Sequence, residues 1–262
     1  MRQYFSRPDG YAGLCGHLRC AVAERVIDGA PEFMHAVRAL FIADAHVSRR
    51  TTDADLSAFA ARMTALSPDI ALYGGDYADE PANVLRFFRA MAALRPRLGG
   101  FAVLGNNDRE AFPDIDPLRR AASAAGVHLL VNESRKVALP GGVLVIAGVD
   151  DLKYGAPEEA LAIPGPAPDR YRVLLSHFPM LPERAPDLVL SGHTHGGQFN
   201  LLGITPYAVG FEPREHTNGM RHVIAGLHRE GNVRLLVSKG IGASRIPLRI
   251  GVRPEVNLLR FG

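Results

Sequence analysis

The stretch Val37-Arg38-Ala39-Leu40-Phe41-Ile42-Ala43-Asp44-Ala45-His46 decides how the chain is read. Residues 37–43 are apolar except for Arg38 and too few for a helix, so they read as a buried strand. Two side chains with metal-ligand chemistry, Asp44 and His46, follow at once. Over residues 53–66 Leu56, Phe59, Ala60, Met63 and Leu66 recur at helical spacing, and Pro68 closes the segment. Asp69-Ile70-Ala71-Leu72-Tyr73 is a second short apolar run, and it ends at Gly74-Gly75-Asp76. Residues 82–94 predict a second amphipathic helix and residues 101–104 a third strand. Asp116-Pro117 supplies an N-cap and a first-turn proline for a helix ending near Gly126. Strand and helix patterns alternating every roughly 30 residues are the mark of βαβ units and a parallel sheet.

The second half of the chain changes character. Residues 137–146 carry a Gly141-Gly142 turn between two β-rich runs, a hairpin signal. Residues 171–175 and 187–190 read as buried strands. Residues 222–227 and 233–237, joined through Glu230-Gly231-Asn232, predict another hairpin, and residues 255–261 a last strand. The proline-rich residues 157–168 read as a surface loop. The expectation is an α/β protein with two sheets face to face, helices outside and one shared core.

Composition narrows the function classes. With 47% hydrophobic and 22% charged residues in 262, the chain is ordinary globular protein, which excludes disorder, collagen and disulfide scaffolds. The longest apolar run, residues 143–149, falls far short of the roughly 18 residues that span a bilayer. The first ten residues lack the apolar segment of a secretory signal, so a cytoplasmic protein without a transmembrane segment is expected. Cys15, His17 and Cys20 are too few for a structural zinc. The 30 Lys and Arg against 27 acids are scattered as singlets and pairs, which disfavours nucleic acid as partner and suits a small anionic substrate.

Candidate ligands end nearly every proposed strand. Asp44 and His46 follow the first, Asp76 the second, Asn106 and Asp108 the third, His177 the 171–175 strand, and His193 and His195 the 187–190 strand. Open α/β sheets bind ligands outside the carboxyl ends of their strands, so these groups can converge. Singly, each has the plainer role of a loop cap or satisfied polar group. As an ordered, glycine-flanked set they point to a metal site. Two carboxylates, an amide and four imidazoles, with no thiolate, suit two divalent ions such as Mn, Fe or Zn. Two such ions about 3.5–4 Å apart share a bridging carboxylate and hydroxide and polarise a phosphoryl group.

The ordered set Asp44-Ala45-His46, Gly75-Asp76, Gly105-Asn106-Asn107-Asp108, His177 and Gly192-His193-Thr194-His195-Gly196-Gly197-Gln198 resembles the calcineurin-like metallophosphoesterases. The Gly-Gly-Gln extension, with Val237 to Gly242 and Ile246-Pro247-Leu248-Arg249, resembles the bacterial YkuE/YaeI-like branch, some members of which hydrolyse UDP-2,3-diacylglucosamine. The resemblance implies a four-layer α/β/β/α sandwich of two mixed β-sheets flanked by helices over residues 37–262, with residues 1–36 an N-terminal extension of unassigned role. It also implies two divalent cations, Mn²⁺ first with Fe or Zn as alternatives. Asp44, His46 and His195 would hold one, Asn106, His177 and His193 the other, with Asp76 bridging. The implied reaction is phosphodiester or pyrophosphate hydrolysis by the bridging hydroxide.

One position departs from the family pattern. Its third motif usually reads Gly-Asn-His-Asp, and here Asn107 replaces the histidine that serves the leaving group, oriented by Asp108. An amide cannot transfer a proton, so pyrophosphates and activated diesters, whose leaving groups are stable anions, are favoured over alkyl esters. Arg49, Arg50 and Arg109 are candidate substrate contacts. The apolar segment 201–217 reads as a lid, an acyl-chain groove or ordinary packing. The expected partner is a phosphate-containing small molecule or lipid-linked substrate, the latter met peripherally at the inner membrane. The alternative is a catalytically impaired metal-binding scaffold or interaction module of the same fold, like the retromer subunit.

Overall fold

The computed structural model describes residues 9–206 and 223–262. The strands of its first half are β1 (Ala12–Leu14), β2 (Ala21–Ile27), β3 (Arg38–Ile42), β4 (Ile70–Tyr73), β5 (Gly100–Ala102), β6 (Val127–Leu129) and β7 (Glu133–Leu139). Those that follow are β8 (Gly142–Gly148), β9 (Arg170–Leu175), β10 (Leu188–Ser191), β11 (Gly226–Glu230), β12 (Val233–Val237), β13 (Leu248–Ile250) and β14 (Glu255–Phe261). The α-helices are α1 (Asp53–Ala65), α2 (Pro81–Met91), α3 (Asn106–Ala111), α4 (Asp116–Ala124) and α5 (Glu159–Ala162).

Two six-stranded mixed sheets face each other, in the orders β2-β14-β3-β4-β5-β6 and β11-β12-β10-β9-β8-β7. Within the first, β3 to β6 run parallel, β14 is antiparallel to β3, and β2 is parallel to β14. Alternate residues of β3 serve two cores, as the pleat requires. Ala39 and Phe41 meet Leu144, Ile146, Val173 and Leu190 between the sheets, whereas Leu40 and Ile42 pack under Phe59, Met63, Phe87 and Phe88 of α1 and α2. Helix α1 starts on a capping box in which Thr52 Oγ1 accepts from the Asp55 amide and Asp55 Oδ2 accepts from the Thr52 amide. Pro81 opens α2 at a position where a missing N–H costs nothing.

Several boundaries differ from the sequence reading. The first hairpin turns at Pro140-Gly141, because Leu139 pairs with Gly142 and Gly142 already belongs to β8. Of the second hairpin's expected first strand, residue 222 lies outside the described residues, residues 223–225 are not strand, and pairing starts at Gly226; the hairpin turns at Gly231-Asn232, where Gly231 takes φ +58°, and Glu230 pairs with Val233. Helix α4 is capped by Ile115, so Asp116 is its first residue. The proline-rich stretch holds α5, whose Ala162 is buried with Ile163 against the outer face of the second sheet. That four-residue helix and neighbouring loops make up the thin fourth layer among the described residues. Within residues 1–36, β2 forms an edge of the first sheet. Its Glu24 and Arg25 interrupt an apolar pattern, as an edge strand tolerates. No described helix is long and apolar enough to cross a membrane.

Candidate metal centre

The carboxyl ends of β3, β4, β5, β9, β10 and β12 meet in one place, and the backbone there is bent hard. Asp44 (φ +50°), His46 (+42°), Asp76 (+54°), His193 (+67°) and His195 (+52°) all sit in the left-handed region. Each such non-glycine residue costs of order 1–3 kcal/mol, and such outliers cluster at functional sites. The turns hold one another: the Asp44 amide donates to Gly75 O (3.0 Å), that of His46 to Asp76 O (3.1 Å), and those of Ile241 and Gly242 to Asp44 O (3.2 and 2.7 Å). At Gly75 (φ +89°) and at Gly192 a Cβ would collide with Gly105 N and with Asp44 Oδ2 respectively, so these loops approach as closely as glycine permits.

Inside this frame polar atoms lie buried without partners. Ligand atoms of Asp44, His46 and His195 are mutually within 4.8 Å, as are those of Asp44, Asp76 and His177. Asp44 Oδ2, His46 Nε2 and His177 Nε2 are buried and lack a hydrogen-bond partner. Asp76 Oδ2 lies 3.5 Å from both His46 Nε2 and His177 Nε2, between the two groups. The outer ring nitrogens are spoken for: His46 Nδ1 is 2.8 Å from Asp79 Oδ1, and His177 Nδ1 is 2.8 Å from Gly74 O. Both partners only accept, so Nδ1 carries the hydrogen and the lone pair of the neutral ring faces inward from Nε2. These buried orphans are a donor set for a hard or borderline dication, and the residues fit one.

His193 donates its amide to Asp44 Oδ1 (2.9 Å), and its Nδ1 lies 3.1 Å from Asn106 Oδ1. His195 differs from its fellows. Its Nδ1 faces Arg249 Nη2 at 3.0 Å and so accepts, which puts the proton of the neutral ring on Nε2, 3.7 Å from Asp44 Oδ1.

Electrostatics follow from burying like and unlike charges together. Burial pushes the Asp44 carboxyl up to about 6. Burial also disfavours the His177 imidazolium, but the negative charge of Asp76, with that of Asp44 behind it, outweighs it and raises that group to about 10. For Asp76, burial is outweighed by His177 and His46, which hold its carboxyl below the usual range. Burial, reinforced by His46 and Arg249, pushes His195 well down. The centre thus holds protons where a dication would sit, and loading it releases them.

The other anticipated residues are placed less uniformly. Asp108 is fully buried and accepts from the amides of Asp76 (2.7 Å), Tyr77 (3.1 Å) and Gly105 (2.9 Å), so it ties the second and third motif loops together rather than orienting the Asn107 side chain. Asn107 donates its amide to Asp76 Oδ1 (2.9 Å), and its Oδ1 accepts from Asn106 Nδ2 (2.8 Å). Arg49 and Arg50 line a cleft of about 310 Å³ that reaches His46, with Arg49 paired to Glu80 at 3.0 Å. Arg109 does not line that cleft and lies 3.5 Å from Asp150. Leu201, Leu202 and Ile204 are exposed on a tight turn, whereas residues 207–217 of the anticipated lid lie outside the described residues.

Two residues escaped the sequence reading as members of the site. Asp79 follows Asp76 by three positions, and nothing in that spacing announces its contact with His46. Arg249 is fully buried, with Nε donating to Gly242 O (2.6 Å) and Nη1 to His195 O (3.1 Å). Its place in the Ile246-to-Arg249 motif was the available signal.

The chain is similar in sequence to known proteins. The family profile described as calcineurin-like phosphoesterase matches residues 37–197. Phosphodiesterase YaeI of Escherichia coli is 31% identical over 85% of this chain and 81% of its own length. The Bos taurus transmembrane protein with metallophosphoesterase domain is 29% identical over 87% of this chain, which spans about half (54%) of that relative. UDP-2,3-diacylglucosamine pyrophosphatase LpxG of Chlamydia muridarum is 26% identical over 87% of this chain and 84% of its own length.

Proposed function

The chain belongs to the calcineurin-like phosphoesterase family of metal-dependent hydrolases, and from that premise we propose that it is a dinuclear phosphohydrolase acting on pyrophosphate or activated phosphodiester bonds. The observation that carries the reading is the convergence of Asp44 Oδ2, His46 Nε2 and His177 Nε2, buried and partnerless, around Asp76. Two divalent cations, Mn²⁺ first among them, would be held by Asp44, His46 and His195 and by Asn106, His177 and His193, with Asp76 shared. When bound they supply Lewis-acid polarisation of the phosphoryl group and a nucleophile drawn from water at neutral pH.

The chain's own residues then narrow the substrate. Asn107 has its oxygen committed to Asn106, and its NH₂, 3.5 Å from His46 Nδ1, is placed to donate to a phosphoryl oxygen. It has no proton to give to a departing alkoxide, and loss of general-acid help costs typically 10²–10⁴-fold. A phosphate leaving from a pyrophosphate needs no such proton. The relative named a UDP-2,3-diacylglucosamine pyrophosphatase is in keeping with this class of bond. Arg49 and Arg50 on the cleft rim suit an anionic substrate. Cys15 and Cys20 are free thiols, which suits the cytoplasm.

The test is turnover of a sugar-nucleotide diphosphate against an alkyl phosphomonoester with added Mn²⁺, on wild type and Asn107→His. The wild type is expected to favour the diphosphate, and Asn107→His to speed the alkyl ester about 10²-fold. A wild type that prefers the alkyl ester overturns the substrate assignment. The second reading, a metal-binding scaffold, is favoured by the same Asn107 and by the engagement of Asp108 with three backbone amides. It predicts bound metal without turnover of either substrate.

A further inference from the structure

Five of the ten large exposed apolar side chains among the described residues lie on or beside the small ribbon formed by β1 and β13: Leu14, Leu201, Leu202, Ile204 and Ile246. The register explains why they gather. Leu14 pairs with Leu248 and Ala12 with Ile250, and Phe199 bridges Ile250 on the other edge. Directly paired residues share a face, so these side chains form one apolar outer face that Leu201 extends. The intervening residues point the other way: Arg249, Gln198 and Asn200 are buried, and Arg249 reaches His195. Past Asn200 the chain makes a tight turn, with Leu201 bridged to Ile204, Leu202 at φ +53° and Gly203 at φ +93°. Leu202 at the tip is 96% exposed. A turn held in that backbone shape does not fold its leucine back onto the ribbon.

The rim of this face is cationic. Arg245 immediately precedes Ile246, Arg50 packs where Gly16 leaves β1, and Arg253 lies beside Tyr11. All three are exposed and have no ion pair among the described residues. The acids nearby are engaged: Asp79 with His46, Glu80 with Arg49, and Asp9 with Lys239 and, through Oδ2, with the Arg253 backbone amide at 2.8 Å. Arg50 and Arg245 also line the cleft that reaches His46, so the apolar face ends where the candidate site opens.

We propose that the outer face of the β1–β13 ribbon, with the Leu201-to-Ile204 turn, docks the protein on an anionic bilayer surface and brings the cleft to the headgroup layer. An apolar surface bordered by unpaired arginines matches an interface that offers acyl chains and negative headgroups together. A second copy of the chain fits it poorly, because a two-fold contact would bring the same arginines against one another. Docking of this kind requires neither a bound cation nor turnover, so it stands or falls separately from the phosphohydrolase reading.

Sedimentation of the full chain with phosphatidylcholine vesicles, with and without phosphatidylglycerol, tests it. Binding is expected only with the anionic lipid, to weaken as salt rises, and to be the same after metal is stripped. Leu14→Asp with Leu202→Asp should weaken it about tenfold or more, and Arg245→Ala about fivefold. Both leucines are exposed and outside the metal centre, so thermal stability and turnover of a water-soluble diester should not change. Leu202→Ser, a milder change, should still weaken vesicle binding. Three results would overturn the proposal: no binding to anionic vesicles, binding indifferent to both leucines, or a solution dimer that the leucine substitutions dissociate.

Discussion

Residues 40–42 and residues 44–46 flank Ala43 and are buried to nearly the same degree, for opposite reasons. Leu40, Phe41 and Ile42 are at most 1% exposed and apolar, and each fills one of the two cores. Asp44 and His46 are 0% and 4% exposed, carry left-handed backbone, and keep Oδ2 and Nε2 without partners. Burial stabilises the first triplet. In the second it strips water from a carboxylate and an imidazole and returns no hydrogen bond to the orphaned atoms. The strand supplies rigidity, and the turn that follows it uses that rigidity to hold groups in an arrangement they would not adopt alone.

Four measurements test this contrast. The largest effect is expected from Asp44→Asn, which should lower turnover by about 10³-fold or more through loss of a ligand charge. Its metal-free melting temperature should hold or rise, since the substitution removes a charge that burial disfavours. A clear drop in metal-free stability would mean that Asp44 is structural. Phe41→Ala should do the reverse and destabilise by ~3–5 kcal/mol. A calorimetric scan should show the loss, while turnover well below the transition stays close to wild type.

Asp79→Ala tests the carboxylate that holds His46 Nδ1. Losing the acceptor that fixes His46 Nδ1 should weaken metal affinity about 10–100-fold, readable by titration of metal into stripped protein, with little change in melting. An unchanged affinity would remove Asp79 from the site. The smallest effect is in pH. His177 is raised by the nearby Asp76 from its ordinary value of 6.5 to about 10 in the folded chain. Its contribution is therefore complete below pH 6.5 and is lost as pH climbs through 10. The metal-free protein should melt a few degrees lower across that window, whereas metal-loaded protein, with a cation in the proton's place, should not.

Much of the fold was legible because its elements follow simple periodicities. The buried strands of residues 38–42, 70–73 and 170–175 and the amphipathic α1 showed themselves in one-dimensional pattern. Short or polar elements did not: β2 mixes Glu24 and Arg25 into an edge strand, β6 has three residues, and α3 begins inside a ligand motif. At the centre, the seven anticipated ligands lie at loops that the fold brings together. Asp79 and Arg249 were invisible as site members because their relevance rests on contacts to His46 and His195 across 33 and 54 positions.

The alternation of strand and helix, the apolar faces, and the type and order of side chains at each strand end are legible in the residues alone. Those follow from local pattern, since side-chain period and backbone preference are properties of neighbouring residues. Contacts between distant segments settle which nitrogen of His46, His177 and His195 faces inward, that Asp108 ties loops together rather than serving Asn107, and that the apolar residues at 14, 201 and 246 gather into one surface. These are matters of distance between segments far apart in the chain, and hydrogen-bond direction, desolvation and Coulomb interaction act through that distance alone.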